Sequence, residues 1–253
     1  MPEAAGDDRG GWAIKIIKTL LDMIYPKRCA LCDGVLTIKE QLLCCRCEGK
    51  AAVITENYCM KCGKPVEEEE EYCLDCSGKE SSFAYGRAAF VYDNLMRGSI
   101  SRFKYHGRQE YAEYYADVMY KQYYEWIKRV APDALIPVPI HKERYRKRGF
   151  NQAELVAASL GKLCGVPVVS DYLVRTKNTL PQKELSDRER YVNLCRAFSI
   201  RTETQELYNA MKCVILIDDI YTTGSTIEAC AQTLSRQGVY KIYFLCISIG
   251  QKN

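Results

Sequence analysis

Two groups of residues in this 253-residue chain have types and spacings that could do chemistry. The first is cysteine. There are 14, and nine fall between Cys29 and Cys76. Eight of these nine form four Cys-x-x-Cys pairs, Cys29/Cys32, Cys44/Cys47, Cys59/Cys62 and Cys73/Cys76, separated by 11, 11 and 10 residues. Zinc takes four thiolates in a tetrahedron, and a Cys-x-x-Cys turn supplies two from one tight knuckle. The regular repeat therefore points to two structural Zn²⁺ ions, whereas disulfides would predict less even spacing and a redox pair would not need four copies. Cys45 cannot replace Cys44, since only Arg46 would then separate it from Cys47. Two pairings remain open, sequential ribbons or a cross-braced arrangement, and the repeat at half-domain length favours sequential ribbons. Gly34 and Gly63 follow two of the knuckles and are expected to turn with positive φ.

The second group runs from Val214 to Thr226. Four apolar residues are followed by Asp218 and Asp219, then by Ile220, Tyr221, Thr222, Thr223, Gly224, Ser225 and Thr226. The pattern predicts a buried strand ending in two carboxylates, with a hydroxyl-rich turn opening a helix. Ligands of open α/β sheets bind at such strand ends. Backbone N–H groups at the turn suit a phosphate. The carboxylates would repel that phosphate and suit ribose hydroxyls, or a Mg²⁺ shared with a diphosphate. These demands are met together by phosphoribosyl pyrophosphate (PRPP). A basic segment, residues 139–151, carries His141, Lys142, Arg144, Arg146, Lys147 and Arg148 against the single acid Glu143. Such a segment could grip a diphosphate through charge-assisted bonds, track a nucleic-acid backbone, or be merely a solvated basic helix or loop. Neither His106 nor His141 has the acid partner or spacing of a catalytic base.

The segment over 214–226 resembles the PRPP-binding signature of type I phosphoribosyltransferases. Together with residues 136–139, the run Arg148, Gly149, Phe150, Asn151, Gln152, and then Arg175, Thr179, Gln182, Leu185, Arg188 and Asn193, the chain resembles the ComF family of competence-associated proteins from about residue 12 to residue 249. The resemblance implies an N-terminal zinc module joined to a phosphoribosyltransferase-like domain. It implies that Asp218 and Asp219 face the ribose and its metal as the catalytic pair, and that Thr222, Thr223, Gly224, Ser225 and Thr226 cradle the 5-phosphate. Arg144, Arg146, Lys147 and Arg148, with Arg175 and Arg188, would meet a diphosphate or a DNA backbone. It further implies a role in natural transformation, handling single-stranded DNA beside a helicase-like partner. The alternative is an active phosphoribosyltransferase acting on a nucleobase or amine, and a third possibility is PRPP as a regulatory ligand only.

The elements that must position these residues follow from periodicity. Residues 83–92, 134–139, 212–217 and 240–249 read as strands, and 95–103, 110–127, 152–164 and 226–237 as helices. This alternation predicts an α/β fold, a mostly parallel sheet with helices on both faces, over residues 81–253. Residues 12–80 form a helix, predicted over 12–25, plus the double zinc ribbon, and residues 1–11 a disordered N-terminus. Residues 175–193, long, polar and basic, suit a flap that closes on a ligand. Residues 104–108 (Lys, Tyr, His, Gly, Arg) mark a helix break whose basic and aromatic character could stack bases. The 19 tyrosines are more simply packing and surface residues where they recur at helical spacing over 111–124. A composition 47% hydrophobic and 27% charged excludes wholesale disorder, while a net charge of +4 says little about partners. The acidic run over residues 67–71 reads as a solvated loop tip. The apolar stretch before Pro26 is too short and too charged to span a membrane and lacks a basic lead-in for secretion, so the expected compartment is the cytoplasm.

Overall fold

A computed structural model describes residues 26–37, 42–176 and 197–250. The expectations for residues 1–11 and 12–25, and for all of 175–193 beyond Thr176, including Arg188, lie outside the described residues. The central sheet has four strands in the order β1-β6-β5-β2. These are β1 (Gly86–Val91), β2 (Ala134–Pro137), β5 (Cys213–Tyr221) and β6 (Lys241–Ile249). Every pairing in it is parallel. Two short strands, β3 (Leu173–Arg175) and β4 (Phe198–Ile200), form a separate antiparallel pair.

Residues of β5 and β6 alternate between two cores. Ile215, Ile217, Leu245 and Ile247 pack with helices α1 (Asn94–Tyr105), α2 (Tyr111–Val130) and α4 (Gln152–Cys164). Val214, Leu216, Phe244 and Cys246 pack with α5 (Ser225–Ser235). This is the layering that an apolar strand buried on both faces requires. In α2 the recurrence of Tyr111, Tyr115, Met119, Tyr123 and Ile127 every fourth residue makes one buried stripe. The start of α1 is fixed by Asp93, whose carboxylate accepts the Met96 N–H at 2.8 Å.

The two ribbons straddle the β1 edge. Residues 52–54, which join them, run beside β1: Ile54 N–H donates to the Ala89 carbonyl (3.0 Å), and Val91 N–H to that of Ala52 (2.9 Å). The first ribbon then contributes Ala30, Leu31, Cys29, Cys44 and Cys47 to the α1/α2 core, and the second contributes Ile54, Cys59, Cys62 and Cys73 to the α5 core.

Of two local expectations, one is narrowed and one corrected. The basic segment over 139–151, open between helix and loop, contains a short helix, α3 (Lys142–Arg148). His141 caps its start by accepting the Glu143 N–H, and Gly149 ends it at φ 82°. In the first ribbon the positive φ falls on Asp33 (64°), not Gly34, while Gly63 has the expected 77°. Both left-handed residues directly follow the second cysteine of a knuckle.

Candidate metal centres and strand-end crevice

The eight paired cysteines gather into two quartets, Cys29, Cys32, Cys44, Cys47 and Cys59, Cys62, Cys73, Cys76, each with its sulfur atoms within 4.8 Å of one another. The sequential pairing is therefore the one the fold makes. A tetrahedron with Zn–S bonds of about 2.3 Å has edges of about 3.8 Å. The Cys32–Cys44 and Cys62–Cys73 sulfur separations are 3.6 and 3.7 Å, so the donor sets fit zinc. Cys45 belongs to neither quartet. In the second ribbon Lys64 and Asp75 form an ion pair at 2.7 Å that links one knuckle to the other.

The other candidate site is built by the far end of β5. The strand does not stop at Ile217: it continues through both aspartates to Tyr221, with Asp218 opposite Cys246 and Tyr221 opposite Ile249 on β6. On its other side β2 ends at Pro137, opposite Ile217. The carboxylates thus lie where β5 outruns its neighbour and the sheet opens into a crevice. Both are half-buried. Asp218 Oδ1 accepts the Asp219 N–H at 2.8 Å, and Asp219 Oδ2 pairs with Lys104 Nζ at 2.8 Å. Burial pushes Asp218 up to about 7, and the charge of Asp219 adds to this, while the Asp219 N–H, Lys104 and Arg175 oppose it. Asp218 is held as a group that ionises reluctantly.

Beyond Tyr221 the chain turns through Thr222 and Thr223, both exposed, into α5. Gly224 precedes the helix at φ 79°, where a side chain would run into the Tyr221 ring. No side chain caps this helix start, and its first N–H groups are left for a ligand or water. The Thr223 and Ser225 hydroxyls are 2.9 Å apart. Asp218 and residues 220–227, Thr226 among them, line a small recess inside the turn. On its outer side a cavity of about 230 Å³ separates the turn from the second ribbon, with Lys61, Cys62, Lys64 and Cys76 on the ribbon wall.

The basic residues divide. Arg146 and Lys147 of α3 are exposed. Arg148 is engaged, donating to Gln152 Oε1 (2.8 Å) and the Tyr105 hydroxyl (3.0 Å) and lying over the Tyr105 ring. Arg175 ends β3 over the Phe198 ring; burial lowers its pKa, as does the charge of Arg144, while Asp218 raises it. Arg175 thus feels both the acidic pair, through Asp218, and the charge of Arg144.

Much of the run Arg148 to Gln152 does architectural work. Gly149 closes α3, Phe150 is buried against Phe103, and Asn151 caps α4 by accepting the Ala153 N–H. Sequence reasoning missed the place of Lys104, which it assigned to a base-stacking cluster. A lysine in the last turn of a helix ending at a glycine break was the only signal, and it does not say which acid the lysine meets.

A zinc-ribbon module built onto a parallel α/β sheet, with paired carboxylates and a hydroxyl-rich turn at one strand end, defines the class. The double zinc ribbon domain family matches residues 20–77. Across most of the chain it is similar to Competence protein F of Haemophilus influenzae, at 31% identity over 85% of this chain and 93% of the relative. It is similar also to Competence protein ComFC of Bacillus subtilis, at 29% identity over 92% of this chain and 94% of that one. The chain belongs to the ComF family. A third relative, the DNA utilization protein YhgH of Escherichia coli (strain K12), is 27% identical over 89% of this chain and 98% of its own. A hypoxanthine phosphoribosyltransferase from Staphylococcus aureus aligns with TM-score 0.33 and 12% identity over 55% of this chain and 62% of that one, a likeness too slight to bear on function. Among the described residues, no helix is long and apolar enough to cross a membrane.

Proposed function

We propose that the β5 crevice binds PRPP or a closely related phosphorylated ribose, with Mg²⁺ arriving on its diphosphate, and that the protein uses this site while handling single-stranded DNA in natural transformation. The observation that carries the reading is the succession along one strand end: a half-buried Asp218–Asp219 pair, then, within a few residues, an uncapped helix start with free N–H groups and hydroxyls. The acids suit ribose hydroxyls, and the turn suits a 5-phosphate. A 5-phosphate in the inner recess leaves the 1-diphosphate to be met by Arg144 and Arg175. Relatives named for competence and DNA utilization support the setting. Arg146 and Lys147, exposed and free of the contacts that hold Arg148, are the basic residues suited to a DNA backbone.

Calorimetric titration of PRPP with magnesium tests the site. The wild type is expected to bind and Asp218→Asn/Asp219→Asn to bind at least tenfold more weakly; a wild type that does not bind overturns the reading. Filter binding of single-stranded DNA across salt concentrations tests the setting. Each phosphate contact on a single strand contributes about 0.7 to the log–log salt slope, so replacing Arg146 and Lys147 by alanine should flatten it by about 1.4. An unchanged slope removes α3 from the DNA path.

A further inference from the structure

We propose that Lys104 is a resident counter-ion that keeps free divalent cations off Asp219, so that metal reaches the acidic pair only as part of a phosphorylated ligand. The inference rests on the reading of the crevice as a ligand site and specifies how that site treats metal.

Lys104 Nζ lies 2.8 Å from Asp219 Oδ2, and both side chains are 16% exposed. This is a sheltered pair, less screened by salt and solvent than a surface one. The lysine stands on a fixed frame. Arg102, two residues earlier, donates to the Leu31 carbonyl of the first ribbon. Tyr105 accepts from Arg148, and Arg108 pairs with Asp33 at 2.8 Å. These contacts fix the end of α1 that carries Lys104. The second carboxylate is also engaged, Asp218 taking the Asp219 N–H. A free Mg²⁺ would have to shed tightly held water and displace an ammonium for one carboxylate oxygen, which Mg²⁺ does reluctantly. A diphosphate changes the balance, because it brings its own metal ligands and offers the displaced ammonium a phosphate oxygen.

The test uses the full zinc-loaded chain and Mn²⁺ as probe, followed by the loss of the free-ion electron paramagnetic resonance signal. Wild type and Asp219→Asn should show the same weak binding. Lys104→Met should gain a site at least tenfold tighter, and Lys104→Met/Asp219→Asn should lose that gain. Lys104→Gln serves in the same way if methionine disturbs folding, and Lys104→Arg should stay weak like the wild type. A Lys104→Met protein with no gain, or a gain that survives Asp219→Asn, overturns the proposal. The two readings separate cleanly. A Mn²⁺ gain without any PRPP binding keeps the counter-ion and removes the ligand, and PRPP binding without a Mn²⁺ gain does the reverse.

Discussion

The two ribbons repeat nearly the same cysteine spacing, yet they are fastened to the sheet by different chemistry. The first is held by polar side chains of α1 and α2 reaching its backbone and its turn. Ser99 and Arg102 donate to the Ala30 and Leu31 carbonyls, and Tyr111 donates to Asp33 at 2.6 Å beside the Arg108 ion pair. The second is held mainly by close backbone approach to β1. Gly86 N–H donates to the Lys61 carbonyl at 2.8 Å, and Arg87 reaches the Met60 carbonyl and lies over Tyr58. The first attachment can be loosened one charge at a time, whereas the second depends on shape. Among the described residues, only the second ribbon borders the hydroxyl-rich turn.

That contrast can be broken most forcefully through the metal. A structural zinc supplies on the order of 10 kcal/mol of apparent folding energy to such modules. Cys44→Ser and Cys73→Ser should each reduce the zinc content from two per chain to one, read by elemental analysis. Only Cys73→Ser should also weaken PRPP binding strongly, since it removes the wall beside the turn. Equal losses in both variants would mean that the ribbons act as one unit.

The shape dependence is sharpened by Gly63→Ala. A Cβ there would sit 2.9 Å from Arg87 Cα with φ at +77°, and left-handed strain together with overpacking should cost about 2–4 kcal/mol in chemical denaturation. Gly34→Ala in the first ribbon has no such φ and meets only Cys32 Sγ at 3.3 Å, so it should stay within about 1 kcal/mol of wild type. A reversed order would refute the distinction between the two attachments. A smaller effect than that of Gly63→Ala is expected from Asp33→Asn, which keeps the shape and removes the charge that Arg108 meets. With both side chains about a quarter exposed, the loss should be about 1–2 kcal/mol.

The cysteine quartets were legible in the sequence because ligand spacing is dictated by zinc itself. The parallel sheet was legible because strands buried on both faces read as continuous apolar runs. The end of β5 was not. Two aspartates interrupt the apolar pattern, and what keeps them extended is the β6 ladder, a partner distant in sequence. Helix α3 could not be told from a loop for a related reason: it buries no residue, so it carries no periodicity, and only its caps, His141 and Gly149, marked it. The docking of the first ribbon was hidden because Ser99 and Arg102 reach backbone carbonyls, which every residue type offers. The Lys104–Asp219 pair joins residues 115 positions apart, and composition could supply the charges without the pairing.

The segment between the ribbons has a consequence for the protein's life in solution. Beside β1, residues 52–54 occupy an edge that would otherwise present open donors and acceptors to any passing strand. They are kept there by two metal-closed loops, one on each side. Zinc is thus expected to act also as a guard against aggregation: a chain starved of the metal should uncover a sticky sheet margin, and precipitation on chelation, read by light scattering, is the expected outcome.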